Sequence, residues 1–486
     1  MKINYSFKIL IFLITVISLL SCKKAHTPDP ELTASASTIA FTGDGGAQDI
    51  TVSSNADWSI SNPAYSWLQL STTSGNSGST VIHLTTLSQN GTGASRSGIL
   101  FVDCSNGQAR RVIVSQAPTL YPTYNTSPIA PDMTGMTSNA VQLAAKMSTG
   151  MGINFGNTME SPNEGDWQNS KLTESYVKFI KQSGFTAVRL PCNWVWTHLS
   201  DPKKATIDPA WLARVKQVVG WCVANDIYVV LNSHDSPTGN AIKQDSVNAM
   251  QKAIWEQIAT TMRDFDEHLI FAGLNEPIAD NAAQMAILNG YHETFINAVR
   301  STGGKNSYRV LVVQGPTTDP NKTYTLMNTL PADKIANKLM VEVHDYTPST
   351  FTILTDGDAS WGNMVYYWGK GNHSTIEPSR NATYGEEDAV TAELQPLKAK
   401  FVDKGIPVIL GEYAVWRRTA ATNSNYLPKD LAMHNKSVDY WTTFVTKTMR
   451  ANGLMPFHWE IGFMFDRKNN VVKDQAMYDA LKAGYN

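Results

Sequence analysis

Cysteine is nearly missing from this chain: four occur in 486 residues, at positions 22, 104, 192 and 222. They form no CxxC pair and no metal-ligating spacing, so neither a disulfide framework nor a structural metal organises the fold. Cys192 and Cys222 would pair only if the fold brought them together; buried free thiols are the expected state. An excess of basic charge is missing too, since 40 Lys and Arg face 42 Asp and Glu for a formal net charge of −2. Nucleic-acid binding rests on Lys and Arg neutralising phosphates, so no such partner is expected. The order GxGxxG is also missing: 152–157 reads Gly-Ile-Asn-Phe-Gly-Asn, which argues against a dinucleotide-binding loop. Aromatic residues, by contrast, are plentiful, with 13 Trp and 18 Tyr. Their flat faces suit neutral sugars, although most Trp in any protein serve the core.

At the N-terminus, Lys2 and Lys8 flank an apolar stretch, 9–20, that is too short to span a bilayer as a permanent helix. It ends in Leu19-Leu20-Ser21-Cys22, which resembles a bacterial lipobox. That resemblance implies a lipoprotein signal peptide over 1–22, with Cys22 lipidated after cleavage; the alternative is an ordinary secretory signal. Multiple acyl chains hold firmly, so the expectation is a protein anchored to the outer membrane, facing the cell surface or the periplasm. Residues 23–31, polar and proline-containing, read as a short tether.

From 32 to 118 short alternating runs (48–53, 58–61, 67–71, 80–86, 98–103, 110–115) are separated by Gly, Asn, Ser and Thr turns. Period-two alternation at that spacing predicts a small all-β, immunoglobulin-like sandwich. Asp57-Trp58, Trp67-Leu68, Asn90-Gly91, Arg96-Ser97-Gly98 and 112–116 resemble the BACON domain. This resemblance implies either a carbohydrate-binding module or a spacer; Trp58 and Trp67, in strand contexts, read as core. Residues 119–133, with Pro122, Pro128 and Pro131, have no strand or helix period and read as a semi-rigid linker.

Beyond about 134, apolar runs at 152–155, 187–190, 228–232, 269–276, 309–314, 339–344, 407–412 and 455–459 alternate with amphipathic stretches. Trp211, Val215, Val218, Val219 and Cys222 recur at helical spacing, as do Ala253, Ile254, Ile258 and Met262. Asp208 before Pro209 marks a helix start. Eight strands with intervening helices predict a (β/α)8 TIM barrel over 134–486, with an open doubly wound sheet as the runner-up.

Two of these runs end in a carboxylate, at Asn275-Glu276-Pro277 and at Gly411-Glu412-Tyr413. In such a barrel the C-terminal ends of the strands converge on one face. A paired acid/base and nucleophile placed there is what hydrolysis of a glycosidic bond requires. Each carboxylate of a close pair raises the proton affinity of the other, and Arg189, ending the second strand, would keep Glu412 ionised.

Gly156-Asn157-Thr158, Val188-Arg189-Leu190-Pro191, Asn232-Ser233-His234, Leu274-Asn275-Glu276-Pro277, His344-Asp345-Tyr346, Gly411-Glu412-Tyr413 and Trp459, in that order, resemble glycoside hydrolase family 5, the cellulase-type retaining glycosidases. The resemblance implies Glu276 as acid/base and Glu412 as nucleophile. It further implies Tyr346 orienting Glu412, Asn275 on the hydroxyl beside the reacting carbon, and His344 near the acid/base. His234 is implied to contact the sugar on the non-reducing side, and Trp459 to form the floor on which the sugar stacks. Two positions depart from many relatives: Asp235 follows His234, and Glu460 follows Trp459, which puts the sugar contacts in doubt. Trp194, Trp196, Trp361 and Trp368 are further candidates for the cleft, and the aromatic segment 347–386 reads as a cleft wall.

The reading is therefore a retaining endo-β-1,4-glucanase, lipid-anchored and monomeric, acting on plant β-glucan. Within the family, a β-mannanase or a xyloglucanase is the alternative. No cofactor or metal is expected, because side chains alone supply the proton transfers and the covalent intermediate. A metal-dependent hydrolase on the same barrel would want HxH at the first strand, where 153–155 reads Ile-Asn-Phe. A non-catalytic glycan-binding lipoprotein is the remaining class, and it would have no use for both glutamates, Arg189 and Tyr346 together.

Overall fold

Ile50 and Val52 on one strand share the buried side of the sheet with Ile82 and Leu84 on the next, Ile50 opposite Ile82, and this alternation builds the first unit of the computed structural model. The structure describes residues 29–486 apart from 93, 168, 236–243, 359, 361 and 420–425. The expected signal peptide, Cys22, most of the tether and Trp361 thus lie outside the described residues. Contacts divide the chain between Thr119 and Leu120. In the first unit one sheet runs in the order Leu32–Ala34, Ala47–Ser54, Gly78–Thr86, Leu68–Leu70. The other runs Thr38–Phe41, Ala109–Gln116, Arg96–Cys104, Trp58–Ser61, Ser74–Gly75. Their inward residues share one core with Trp58 and Trp67, as the alternation predicts.

Part of the segment expected to be a semi-rigid linker is docked. The amides of Tyr124 and Asn125 donate to the Glu256 carboxylate at 2.7 and 3.1 Å, and Ile129–Pro131 pairs with Gly303–Gly304. The partner of this segment lies more than a hundred residues away, so local composition gave no sign of it.

In the second unit eight parallel strands close on themselves: β1 Met151–Asn154, β2 Phe185–Cys192, β3 Tyr228–Ser233, β4 Leu269–Ala272, β5 Leu311–Gln314, β6 Leu339–His344, β7 Val408–Tyr413 and β8 Met455–His458. Pairing of β1 with β8 (Gly152 with Phe457, Ile153 with His458) rules out the open sheet. Asp208 caps the helix Pro209–Ala224 through the Ala210 amide, as expected. Val230, Ile270, Val312, Met340 and Ile409 fill the barrel's lower interior. Ala140, Leu143 and Met147 of the helix Ala140–Met147 join that same cluster, stoppering the N-terminal mouth. One step further along the strands the inward positions turn polar and remain fully buried: Asn154, Arg189, Asn232, Gln314 and Glu342. This polar layer supports the site above it. Cys104, Cys192 and Cys222 are buried free thiols.

Candidate active site

Local backbone irregularities aim both glutamates. On β7 the pairing with β6 slips between Val343 opposite Leu410 and His344 opposite Glu412, leaving Gly411 as an extra residue. Such a bulge re-aims the side chain that follows it. With Ile409 pointing inward, unbroken alternation would send Glu412 outward; the bulge returns it to the axis. At β4 the ladder ends at Ala272, the Gly273 amide reaches Val312 O at 3.2 Å, and the Leu274 amide donates to the Gln314 side chain at 2.9 Å. Glu276 then takes φ of 35°, a left-handed conformation that is strained for a side chain of its kind. The Thr317 amide donates to Pro277 O at 2.6 Å and braces that turn.

The two carboxylates meet. Glu276, His344 and Glu412 each offer one atom within 4.8 Å of the others. Carboxylates that approach this closely suit a retaining pair, whose carboxyl groups lie about 5–5.5 Å apart. Both Glu412 oxygens are held, Oε1 by Arg189 Nη1 at 2.9 Å and Oε2 by the Tyr346 hydroxyl at 3.0 Å. Arg189 Nη2 donates to Asn275 Oδ1 at 2.9 Å, fixing that amide. Glu412 is buried, whereas the Glu276 side chain is 45 % exposed and lies at the mouth.

His344 lies between carboxylates: Nδ1 is 2.8 Å from Glu276 Oε1 and Nε2 is 3.3 Å from Glu342 Oε1. Burial works against charging this imidazole, but Glu412, Glu276 and Glu342 outweigh it and raise its pKa to about 9. Burial pushes Glu276 up, while the hydrogen bond and charge of His344 bring it below the ordinary carboxylate value overall. The resting pair therefore holds one exchangeable proton, and it sits on His344. Burial and the Glu412 charge push the Tyr346 phenol well up, so it stays a donor. The trio's spacing would also admit a cation. The positive charges of Arg189 and of the protonated His344 beside Glu412 disfavour one, and they suit an arrangement that moves a proton.

Glu342 was not singled out in the sequence. Wholly buried on β6, it accepts from Arg189 Nε at 2.7 Å and from Gln314 Nε2 at 2.6 Å. Burial raises its proton affinity, but Arg189 and His344 overcome that and bring its pKa down to about 2. The signal was present: an acid inside the apolar run 339–344, two residues before His344 and thus on the same face of the strand. Asn154 also belongs to this network. It accepts from Arg189 Nη1 at 3.1 Å and donates to Gly411 O at 2.7 Å.

Trp459 and His234 lie nearly parallel, ring centres 5.9 Å apart and planes 13° off. Burial lowers the His234 pKa to about 4, so its ring is neutral. Of the other aromatic candidates, Trp196 is 61 % exposed, while Trp194 and Trp368 are buried and do not line a cleft. Among the described residues of 347–386, much of the aromatic content is internal. Met364, Tyr366 and Tyr367 make a small core of their own, and Trp368 packs on Tyr440 and Phe444. A segment that long buries its own apolar side chains, and composition alone cannot tell that from a cleft lining.

Both departures from the family pattern are structural. Asp235 accepts the backbone amides of Trp194, Val195 and Trp196, pinning the loop after β2. Glu460 accepts those of Gly462, Met464 and Phe465, holding the loop that follows Trp459. Beside Trp459, Trp416 and Phe463 border a cavity of about 460 Å³ whose lining includes Glu460 but neither Glu276 nor Glu412.

Residues 144–464 match Cellulase (glycosyl hydrolase family 5), and residues 56–117 match BACON, a putative N-terminal binding domain. A xyloglucan-specific endo-β-1,4-glucanase of Bacteroides ovatus is 31% identical, covering 92% of this chain and 90% of its own. Endoglucanase A of Paenibacillus barcinonensis is 29% identical over 76% of this chain and 96% of its own. Among solved structures, a Bacteroides ovatus GH5 xyloglucanase in complex with an XXXG heptasaccharide aligns with a TM-score of 0.68 and 29% identity over 94% of this chain and 99% of that one. A GH5 xyloglucan-specific β-1,4-glucanase from a ruminal metagenomic library, in complex with XXLG, aligns at 0.64 with 36% identity over 72% and 96%. The chain belongs to glycoside hydrolase family 5, and it is a glycoside hydrolase carrying an N-terminal BACON domain.

Proposed function

We propose that this enzyme is a retaining endo-β-1,4-glucanase in which Glu412 is the nucleophile and Glu276 the acid/base. The observation that carries the reading is the meeting of the two carboxylates within 4.8 Å, one buried and clamped by Arg189 and Tyr346, the other at the mouth against His344. In the first step a Glu412 oxygen bonds to the anomeric carbon as the glycosidic C–O bond breaks, and Glu276 protonates the departing oxygen. A sugar covering Glu276 removes water from it, which favours the neutral carboxyl and draws the His344 proton across the 2.8 Å hydrogen bond. Ester formation erases the Glu412 charge. Glu276, now an anion, takes a proton from a water whose oxygen bonds to the anomeric carbon as the carbon's bond to Glu412 breaks, which frees the Glu412 carboxylate. Asn275, oriented by Arg189, binds the hydroxyl next to the reacting carbon, Trp459 stacks under the ring, and His234 lines the adjoining subsite.

The substrate is a plant β-glucan, and xyloglucan is the favoured one. The relatives named for xyloglucan support this, as does the aromatic cavity beside Trp459, which offers room for a branch sugar. A panel of xyloglucan, mixed-linkage glucan, carboxymethylcellulose and galactomannan tests it, with reducing ends counted and product sizes analysed. Internal cleavage of xyloglucan above the others is expected; preferential cleavage of galactomannan would replace the reading with a mannanase. We further propose that the protein is monomeric and anchored through a lipid on Cys22 to the outer membrane. Metabolic labelling with an alkynyl fatty acid should mark the wild type and not Cys22→Ala.

A further inference from the structure

We infer that Glu342 is a positioning residue that fixes which nitrogen of His344 carries the permanent proton, leaving the other nitrogen to exchange its proton with Glu276. The inference rests on the acid/base reading of Glu276 but concerns a residue that touches neither substrate nor reacting atoms.

The contacts leave little choice. Glu342 Oε1 faces Arg189 Nε at 2.7 Å and His344 Nε2 at 3.3 Å, and Oε2 faces Gln314 Nε2 at 2.6 Å. A guanidinium and a carboxamide NH2 can only donate, so this carboxylate is an acceptor throughout, and the His344 nitrogen facing it is the one that keeps a proton. The opposite nitrogen, Nδ1, lies 2.8 Å from Glu276 Oε1. Nδ1 then has two states, donating to an ionised Glu276 or accepting from a protonated one, and the step between them is the proton delivery the reaction needs. The reverse tautomer would set a bare Nε2 lone pair against a buried anion. A second observation shows that the slot is built for this side chain: a Cβ on Gly411 would lie 2.1 Å from Glu342 Oε1. The charged and titratable groups around the pair are Arg189, His234, Glu276, Glu412 and Tyr346. Glu342 adds an anion to that set without competing for substrate, and with Arg189 it forms an ion pair buried on both sides.

Glu342→Gln keeps the shape, removes the charge and places an amide donor among donors. With one anion fewer beside His344, the shared proton leaves at lower pH. The alkaline limb of kcat/KM should move about half a pH unit or more towards acid. The kcat should fall about tenfold or more while KM changes by less than about threefold. Glu342→Asp, which restores the charge, should return the limb towards its original position. In the wild type labelled with 15N-histidine, His344 should keep its Nε2 proton from about pH 5 to about pH 9, only Nδ1 titrating. A wild-type His344 with a bare Nε2 overturns the inference, as does a folded Glu342→Gln enzyme whose alkaline limb has not moved. If Glu342→Gln does not fold, the wild-type tautomer alone decides. If the wild type cleaves no β-glucan, the proposed function fails while the tautomer measurement still stands or falls by itself.

Discussion

Gly411 yields its side-chain space to Glu342: a Cβ at 411 would lie 2.1 Å from Oε1 of a carboxylate that Arg189, Gln314 and His344 hold in place. The bulge residue that turns Glu412 inward is thus also the residue that lets the buried acid stand beside it. Gly411→Ala should cost about 1–3 kcal/mol of stability through overpacking. It should also lower kcat about a hundredfold, because an ångström-scale shift of Glu412 spoils the attack geometry. Thermal melts and steady-state kinetics on the purified variant check both; native activity in a folded Gly411→Ala enzyme would show that the close approach is immaterial.

Glu276 is needed in proportion to the leaving group's demand for a proton. Glu276→Ala should lose about a thousandfold on polysaccharide, within the range that general acid catalysis supplies. Its rate of glycosyl-enzyme formation from a dinitrophenyl cellobioside, which departs without protonation, should stay within about tenfold of wild type. Rapid-quench kinetics on both substrates separates the cases, and equal losses on the two would remove the acid role.

The proton shared by Glu276 and His344 sets the alkaline behaviour. Because the folded His344 is raised to about 9, above the ordinary histidine value, its stabilising contribution is complete below the unfolded value and disappears as pH rises through about 9. The kcat/KM should therefore hold through neutrality and fall over that same range. His344→Gln should melt lower than wild type at neutral pH, with the gap closing towards about pH 10. A constant gap across that range would show that the imidazole is not held charged.

Much of this was legible before any coordinates. The eight apolar runs fell on the eight barrel strands, and parallel closure brings the residues at their C-terminal ends (Arg189, His234, Glu276, His344, Glu412 and Trp459) to one face. The bulge at Gly411 and the turn at Glu276 that aim the two glutamates were not legible. Features that depend on contacts remote in sequence were not legible. The role of Glu342 needed its neighbours on β2 and β5, and the docking of 124–131 needed Glu256. Trp194 and Trp368 look in sequence like sugar platforms, yet they are wholly buried. An aromatic ring in a long segment reads the same whether it faces solvent or a small core. Asp235 and Glu460, which read as altered sugar contacts, hold backbone amides instead.

The most direct measurement is to trap the covalent intermediate. A 2-deoxy-2-fluoro-β-cellotriosyl donor with a good leaving group slows breakdown of the ester, and peptide mass mapping then locates the sugar. The expected result is one trisaccharide per protein, α-linked on the peptide that contains Glu412, and none on any other peptide. A sugar on the Glu276 peptide, or rapid turnover with inverted anomeric configuration and no labelled peptide, would contradict it.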